Sequence, residues 1–301
     1  MPNILKRAIT GFFILAVYLP LLILSPAFLG FFLLNLVLAQ IAAFELARVF
    51  NLNQNKAKLA ILHILTFILQ ISVSAIAFQR SYLPQKELSE LNLSIYLLSL
   101  VLTLVFVNIA ISILYFREKQ QLIQSYFLVN FLALSFGGMV FLRTHHLLFA
   151  LFPLVVTILT DTFAYLGGIT FGRHKMSKIS PKKSWEGFFI GTVFAALSTS
   201  VVYFLLLRFY FVDISFFGLT KQSHPAYFIL LFLAAFCFAV IAQGGDLIFS
   251  AFKRQAGVKD YSNILPGHGG VLDRVDALSV TTFLTFVIFL LYTVLVTFLL
   301  K

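Results

Sequence analysis

The chain has 301 residues, of which 60% are hydrophobic and only 11% are charged, and its mean hydropathy is +0.99. Because soluble domains carry about 25% charged residues, this composition excludes an ordinary water-soluble protein. The net charge of +11 does not indicate a nucleic-acid partner, because the basic residues lie in short loops between apolar runs and form no contiguous basic face.

Nine apolar runs, each of about 20 residues, are long enough to cross the roughly 30 Å hydrocarbon core of a bilayer as helices. Their predicted bounds are 8–24, 27–47, 59–79, 94–116, 122–142, 147–171, 188–207, 226–249 and 277–300. They predict an all-α polytopic membrane protein without a separate soluble domain. Nearly all the unusual polar residues follow Thr160, so we interpret 1–145 as transmembrane scaffold helices and 146–301 as the transmembrane catalytic region.

The distribution of lysine and arginine predicts how these spans are oriented. If the N-terminus is cytoplasmic, most of the 22 Lys and Arg residues fall in cytoplasmic loops, as the positive-inside rule requires. The polar segments after Thr160 that flank the spans would then face the cytoplasm. No small-residue cleavage site follows the first apolar run, which favours a retained helix and a bacterial inner membrane.

Three acids lie within the predicted apolar spans: Glu45, Asp161 and Asp246. Asp161 lies about ten residues, or roughly 15 Å of helix, before the cytoplasmic end of its span. An acid at that depth normally faces a cavity or a partner, and Tyr165 follows one turn later on the same face. A structural ion pair is the alternative. Glu45, near the end of the second span, could likewise be buried and pair with a base.

The loop at 172–187 concentrates positive charge. Its basic residues are Arg173, Lys175, Lys178, Lys182 and Lys183. Ser180 followed by Pro181 predicts the cap and the first turn of the next helix. Ammonium groups and free N–H groups at a helix start both attract phosphate, so this loop, with Ser184, could bind a triphosphate or an anionic headgroup. The alternative is an ordinary cytoplasmic loop that only sets topology.

Four polar residues near the cytoplasmic end of the eighth span follow the i, i+4, i+7, i+8 spacing of one helical face. They are Asp246, Ser250, Lys253 and Arg254. An acid and two bases on one face can hold a metal ion and a phosphate side by side. Gly244 and Gly245, just before the acid, would let another backbone or a ligand approach closely. A snorkelling interfacial cluster is the alternative.

A third polar segment leads into the last span. It contains Lys259-Asp260, Pro266-Gly267-His268-Gly269-Gly270 and Asp273-Arg274-Val275-Asp276. Asp273 and Asp276 share a face if the helix has already begun. Clustered oxygen ligands without cysteine favour Mg²⁺ over Zn²⁺. The alternative is that these acids only complement the dipole of a helix start.

Taken in order, these residues resemble the signature of the phosphatidate cytidylyltransferase family, also called CDP-diacylglycerol synthases. The matching pattern is Ser250-x2-Lys253-Arg254-x4-Lys259-Asp260-x5-Pro266-Gly267-His268-Gly269-Gly270-x2-Asp273-Arg274-x-Asp276. Two upstream blocks, 180–187 and Asp161-x3-Tyr165-x2-Gly168, are similar to further blocks of that family in the same order. The resemblance covers the chain from Asp161 to Asp276.

The resemblance implies a Mg²⁺-dependent reaction of CTP with phosphatidate that yields CDP-diacylglycerol and pyrophosphate at the cytoplasmic face of a membrane. It implies metal binding by Asp246 and Asp273, with room for a second cation, and catalytic roles for these two, Lys253 and Asp276. Asp260 would be a supporting acid. The implied substrate-binding residues are Lys182, Lys183, Ser184, Ser250, Arg254, Lys259, His268 and Arg274, with Asp161 lining the cavity or orienting a base.

Alternatives stay open at this point. A related enzyme could transfer the cytidylyl group to another lipid phosphate, because the motifs address phosphate and metal more than acyl chains. A CDP-alcohol phosphotransferase also uses Mg²⁺ and paired aspartates, but its Asp-Gly-x2-Ala-Arg run is missing from the sequence. An ion-coupled transporter would explain intramembrane Asp161 and Asp246, yet it predicts internal repeats that the sequence does not show. Other polytopic lipid enzymes suggest a homodimer.

Overall fold

A computed structural model describes residues 16–24, 28–82, 102, 105–106, 109, 119–177, 179–209, 225–265, 267 and 269–299. Seven long helices lie within these residues: α1 Phe28–Val49, α2 Lys56–Tyr82, α3 Lys119–His145, α4 Leu147–Phe171, α5 Trp185–Phe209, α6 Pro225–Gln255 and α7 Leu272–Leu299. A short 3₁₀ helix, Leu52–Gln54, follows α1. The described residues contain two isolated β-bridges and no β-strand, which agrees with the predicted all-α class.

Each of the seven helices is long and apolar enough to cross a membrane. This fits a polytopic membrane protein, and seven of the predicted spans are confirmed as helices. The span predicted at 8–24 is described from residue 16 onward, where 16–23 are helical, and the span predicted at 94–116 lies almost wholly outside the described residues. Backbone groups in hydrocarbon must be satisfied within their own segment, which is why such apolar runs fold as helices.

Contacts within the chain define two compact units. The first contains Met1–Ala150, Gln255–Val275 and Thr282–Lys301, and the second contains Leu151–Arg254 and Asp276–Thr281. The N-terminal helices and the polar segment before α7 therefore belong to the same unit. The division of the chain at residue 145 into scaffold and catalytic region stays a prediction.

The first unit is built around α3, whose apolar span is the most deeply buried of the seven. Glycines in α3 let neighbouring helices come close. A Cβ atom at Gly137 would lie 3.2 Å from the carbonyl oxygen of Gln70 in α2, and one at Gly138 would lie 2.8 Å from Phe286 in α7. Phe141 also packs edge-on against Phe286, with 5.3 Å between the ring centroids.

In the second unit, α4 and α5 cross at small residues. A Cβ atom at Gly187 or at Gly191 of α5 would come within 2.7 Å of Ala164 in α4. Gln243 joins α6 to α5, because its side-chain amide donates a hydrogen bond to the Thr192 hydroxyl at 2.8 Å. These contacts pack the first turns of α5 against the second half of α4 and of α6.

Residues 276–281 of α7 complete the second unit, where the Thr281 hydroxyl lies 3.0 Å from that of Thr157 in α4. A Cβ atom at Gly245 of α6 would lie 2.8 Å from Val280 Cγ2, whereas one at Gly244 meets no described atom within 4 Å. A close approach by another helix is therefore found at Gly245, whereas Gly244 faces open space. The approach at Gly245 brings α6 against α7 immediately beside Asp246.

Candidate active site

The second unit brings together charged residues from separate sequence motifs. Lys183 Nζ lies 2.5 Å from Asp246 Oδ2, so the basic loop before α5 meets the acid of α6. Ser250, one turn after Asp246, donates a hydrogen bond from Oγ to Asp246 Oδ1 at 3.3 Å. The predicted common face of α6 is confirmed for Asp246 and Ser250.

Asp276 is the most buried of the described acids of this unit, with 9% of its surface exposed. Its carboxyl group lies within electrostatic range of Asp246, Lys253 and the exposed Asp161, and Lys253 is also 9% exposed. Charges at this depth are normally paired or directed toward a polar cavity. We call Asp161, Lys183, Asp246, Lys253 and Asp276 the acid–base cluster, and it is the candidate active site.

The loop that carries Lys183 ends in a helix cap. Ser184 Oγ accepts a hydrogen bond from the Gly187 backbone N–H at 3.2 Å, and α5 begins at Trp185. The prediction that Ser180 caps this helix is wrong, because residues 180–182 form a turn and Ser184 is the side chain that reaches the first amides. The phosphate-binding role of Ser184 stays a prediction.

Glu186, in the first turn of α5, ties the loop to that turn. Its carboxylate accepts hydrogen bonds from the backbone N–H groups of Arg173 at 3.1 Å and His174 at 3.2 Å. It also lies 2.5 Å from His174 Nδ1. Within the loop, the Met176 N–H donates to the Lys183 carbonyl at 2.9 Å. The backbone around Lys183 is therefore held in place while its ammonium reaches Asp246.

Two further predicted ligands of this unit are exposed, Lys182 and Arg254. Arg254 Nε donates a hydrogen bond to the Ile179 carbonyl at 3.3 Å, so the end of α6 contacts the basic loop a second time. Both side chains could reach an anionic ligand from water. Their substrate-binding roles stay predictions.

In the first unit, the segment 256–271 connects α6 to α7 and is described except for residues 266 and 268; we call it the signature loop. Leu265 and Gly269 exchange two backbone hydrogen bonds, at 2.8 and 3.1 Å. Gly269 has a φ of +86°, a conformation that residues with a side chain rarely adopt. The glycines of the predicted motif are therefore needed for the turn itself.

Asp273, in the first turn of α7, closes the signature loop. Its Oδ2 accepts hydrogen bonds from the backbone N–H groups of Tyr261 at 2.8 Å and Gly270 at 2.9 Å. Lys259 and Arg274 are exposed in the same unit, whereas His268 lies outside the described residues. The loop thus presents a folded set of amides and basic groups, and the metal-binding role of Asp273 stays a prediction.

Glu45 of α1 is a site residue whose contacts the sequence did not indicate. It is 0% exposed, and its carboxylate accepts hydrogen bonds from Ser262 Oγ at 2.5 Å, Val271 N at 3.0 Å and Leu272 N at 2.7 Å. The sequence suggested that Glu45 could pair with a base, but its hydrogen-bond donors in the structure are a hydroxyl and two backbone amides. Two features of the sequence could have pointed to these contacts: the acid within an apolar span, and the paired glycines before α7.

The oxygen donors of the acid–base cluster fit Mg²⁺. Among the described residues, no three His, Cys, Asp or Glu side chains are grouped as a complete metal cage. Mg²⁺ does not require one, because it is commonly held by one or two carboxylates, with waters and substrate phosphates as the other ligands. Asp246 and Asp276 supply such carboxylates, and a cation would reduce the repulsion between them.

Comparison with known proteins adds an independent line of support. The chain matches the sequence model of the cytidylyltransferase family over residues 5–293. It is 34% identical to a phosphatidate cytidylyltransferase of Staphylococcus haemolyticus over 278 residues, which cover 90% of this chain and 93% of that protein. The similarity therefore includes the N-terminal helices as well as the motifs at 161–276.

Shorter and more similar stretches match other relatives. A phosphatidate cytidylyltransferase of Rickettsia typhi is 44% identical over 122 residues, covering 40% of this chain and 49% of that protein. One from Haemophilus influenzae is 36% identical over 173 residues, covering 54% and 56%. The chain spans about half the length of these two relatives.

The adjacent glycines of α6 provide a test of how Asp246 is positioned. We expect Gly245→Ala to destabilise the protein by about 1–3 kcal/mol, because its new methyl group would collide with Val280. Gly244→Ala should be neutral or slightly stabilising, because its methyl group meets open space and alanine favours the helix. Thermal unfolding of both variants in detergent measures the difference.

Adding Val280→Ala to Gly245→Ala should restore much of the lost stability, because it makes room for the methyl group. Equal melting temperatures for the two single variants would contradict the close packing of α6 on residues 276–281.

Proposed function

Because this chain belongs to the cytidylyltransferase family, we propose that it transfers the cytidylyl group of CTP to phosphatidate, giving CDP-diacylglycerol and pyrophosphate in phospholipid biosynthesis. The observation that carries the proposal is the match to the Staphylococcus haemolyticus phosphatidate cytidylyltransferase over nearly the full length of both chains. The acid–base cluster supports it, because both proposed substrates are anionic at phosphate and the cluster supplies two lysines.

The proposed reaction is a displacement at phosphorus. A phosphate oxygen of phosphatidate attacks the α-phosphorus of CTP while the bond from that phosphorus to the bridging β-oxygen breaks, and pyrophosphate leaves with the electron pair. The attacking oxygen is already anionic, so no strong general base is needed. Alignment of the two phosphates and neutralisation of their charge would supply most of the rate enhancement.

The residues of the cluster suit these tasks. Lys253 is buried beside Asp276 and can stabilise negative charge where little water competes. Lys183 is paired with Asp246, and a phosphate at the same place would offer its ammonium a second anionic partner. We assign Lys182, Ser250 and Arg254 to the same phosphate groups from the rim of the cluster.

We propose Mg²⁺ as the cofactor, with Asp246 and Asp276 as carboxylate ligands in the second unit. The metal-binding role of Asp273, which the family resemblance implies, stays a prediction. When bound, the metal ion would supply positive charge to the phosphate oxygens of the substrates. Lys259 and Arg274 of the first unit, with His268, are proposed substrate ligands on the same grounds. A second cation and a homodimer stay predictions.

We further propose that the protein lies in a bacterial inner membrane with its N-terminus and the acid–base cluster at the cytoplasmic side. The Lys and Arg distribution supports this orientation, and the relatives from Staphylococcus, Rickettsia and Haemophilus support a bacterial membrane. CTP would then arrive from the cytosol and phosphatidate laterally from the bilayer.

The activity is tested directly with purified protein in mixed micelles containing Mg²⁺, labelled CTP and phosphatidate. We expect labelled CDP-diacylglycerol. Parallel reactions with dCTP and with other lipid phosphates define the substrate range. Absence of product with any phosphatidate species would contradict the proposal, and product with another lipid phosphate alone would favour the related enzyme.

We expect Asp276→Asn to lower kcat/KM by about 100-fold, or about 3 kcal/mol, because it removes a carboxyl group that we propose as a ligand of the metal ion. Asp213→Asn, at an acid outside all the motifs, is the matched control and should keep wild-type activity. Size-exclusion profiles establish that both variants are folded. Wild-type kcat/KM in folded Asp276→Asn would exclude Asp276 from the reaction.

The orientation is tested by labelling single cysteines in a Cys237→Ala background. A membrane-impermeant maleimide should modify Ile179→Cys in inside-out vesicles, because Ile179 is exposed in the basic loop, and leave it unmodified in intact cells. Gln222→Cys, between α5 and α6, should show the opposite pattern. Modification of Ile179→Cys from outside intact cells would overturn the proposed topology.

A further inference from the structure

We propose that Glu45 is a positioning residue that holds the signature loop in the conformation needed to receive substrate. The identity of the substrate rests on the proposed function, whereas the contacts of Glu45 lie wholly within the first unit. Glu45 does not touch the reacting atoms in this account. It acts through the loop that carries Lys259 and leads into Arg274.

The hydrogen bonds of Glu45 connect the middle of the signature loop to the start of α7. Ser262 lies within the loop, Val271 is its last residue and Leu272 is the first residue of α7. The partners are 217 to 227 residues away in sequence, so a side chain of α1 determines the path of a segment near the other end of the chain. The carboxylate is 0% exposed, so water does not compete for these bonds.

Asp273 connects a second pair of loop residues, each one position before a partner of Glu45. It joins Tyr261 to Gly270, next to the positions that Glu45 joins. A Cβ atom at Gly270 would lie 2.5 Å from Glu45 Oε1, so only glycine lets the loop pass this close to the carboxylate. The two acids therefore clamp the loop from both sides of Gly270.

The charge of Glu45 suits its place at the start of α7. Val271 and Leu272 supply N–H groups at the beginning of that helix, where an anion is favoured by the helix dipole. Val271 is 4% exposed and Leu272 is 0% exposed. Without the carboxylate, two buried N–H groups would lose their acceptor, and the loop would be free to leave its native conformation.

A positioning role and a merely structural role have different kinetic signatures. Loss of folded protein lowers the apparent kcat and leaves KM unchanged. Loss of loop order lowers the fraction of enzyme competent to bind, which raises KM by the inverse of that fraction. Saturating substrate can then restore the loop, so kcat changes little.

The test compares Glu45→Gln with Asn35→Ala in the full chain. The glutamine keeps the shape of the side chain but turns an acceptor into a donor that faces N–H groups. Asn35 is a matched control, because it is buried in the same helix and its side chain bonds to Phe31 O within α1 and to Tyr18, away from the signature loop. Hydrogen exchange of the peptide 261–275 reports on the loop without requiring activity.

We expect exchange in that peptide to be about tenfold faster in Glu45→Gln and unchanged in Asn35→Ala. The KM for CTP or for phosphatidate should rise about fivefold or more in Glu45→Gln, with kcat within about threefold of wild type. Ser262→Ala, which removes one of the three donors, should show a smaller change of the same kind and provides a second variant if Glu45→Gln does not fold.

Unchanged exchange in 261–275 would overturn the proposal, as would a lower kcat with an unchanged KM. If the wild-type protein forms no CDP-diacylglycerol but exchange still rises in Glu45→Gln, then the proposed function fails and the clamp stands. If CDP-diacylglycerol is formed and exchange is unaffected, then the function stands and the clamp fails.

Discussion

A carboxylate buried among helices that cross a membrane must find hydrogen-bond donors or cations, because lipid offers none. This constraint explains both polar centres of the protein. In the first unit, Glu45 finds a hydroxyl and two amides at the start of α7. In the second, Asp246, which is only partly buried, finds Lys183 and Ser250. In each case the acid joins elements that are distant in sequence.

The two centres differ in what they can do chemically. The carboxylate of Glu45 accepts three hydrogen bonds and is fully buried, so it suits a fixed, structural clamp. The acid–base cluster mixes three acids with two lysines, and Lys183 and Asp246 are partly exposed. Such a cluster can exchange an internal ion pair for a substrate phosphate or a metal ion. A prearranged loop and an exchangeable cluster together suit a reaction that depends on alignment and charge neutralisation.

Hydropathy predicted the helices well and their ends less well. The predicted span 147–171 is identical to α4, because polar residues follow it directly. Helix α6 continues to Gln255, beyond the predicted 249, because the polar face that ends it is still helical. Helical spacing found the Asp246–Ser250 bond. It could not find the partners of Glu45, because contacts across more than 200 residues leave no local pattern. Asp161 and Asp276 were each singled out from the sequence, but only the motif resemblance assigned both to one site.

The most direct test of the central claim follows the phosphorus atoms of CTP. Two parallel reactions contain purified protein, Mg²⁺ and phosphatidate, with CTP labelled at the α-phosphate in one and at the γ-phosphate in the other. The account predicts that the α-label enters the lipid fraction and the γ-label appears in pyrophosphate. A γ-label in the lipid, or no label in the lipid from either nucleotide, would contradict cytidylyl transfer.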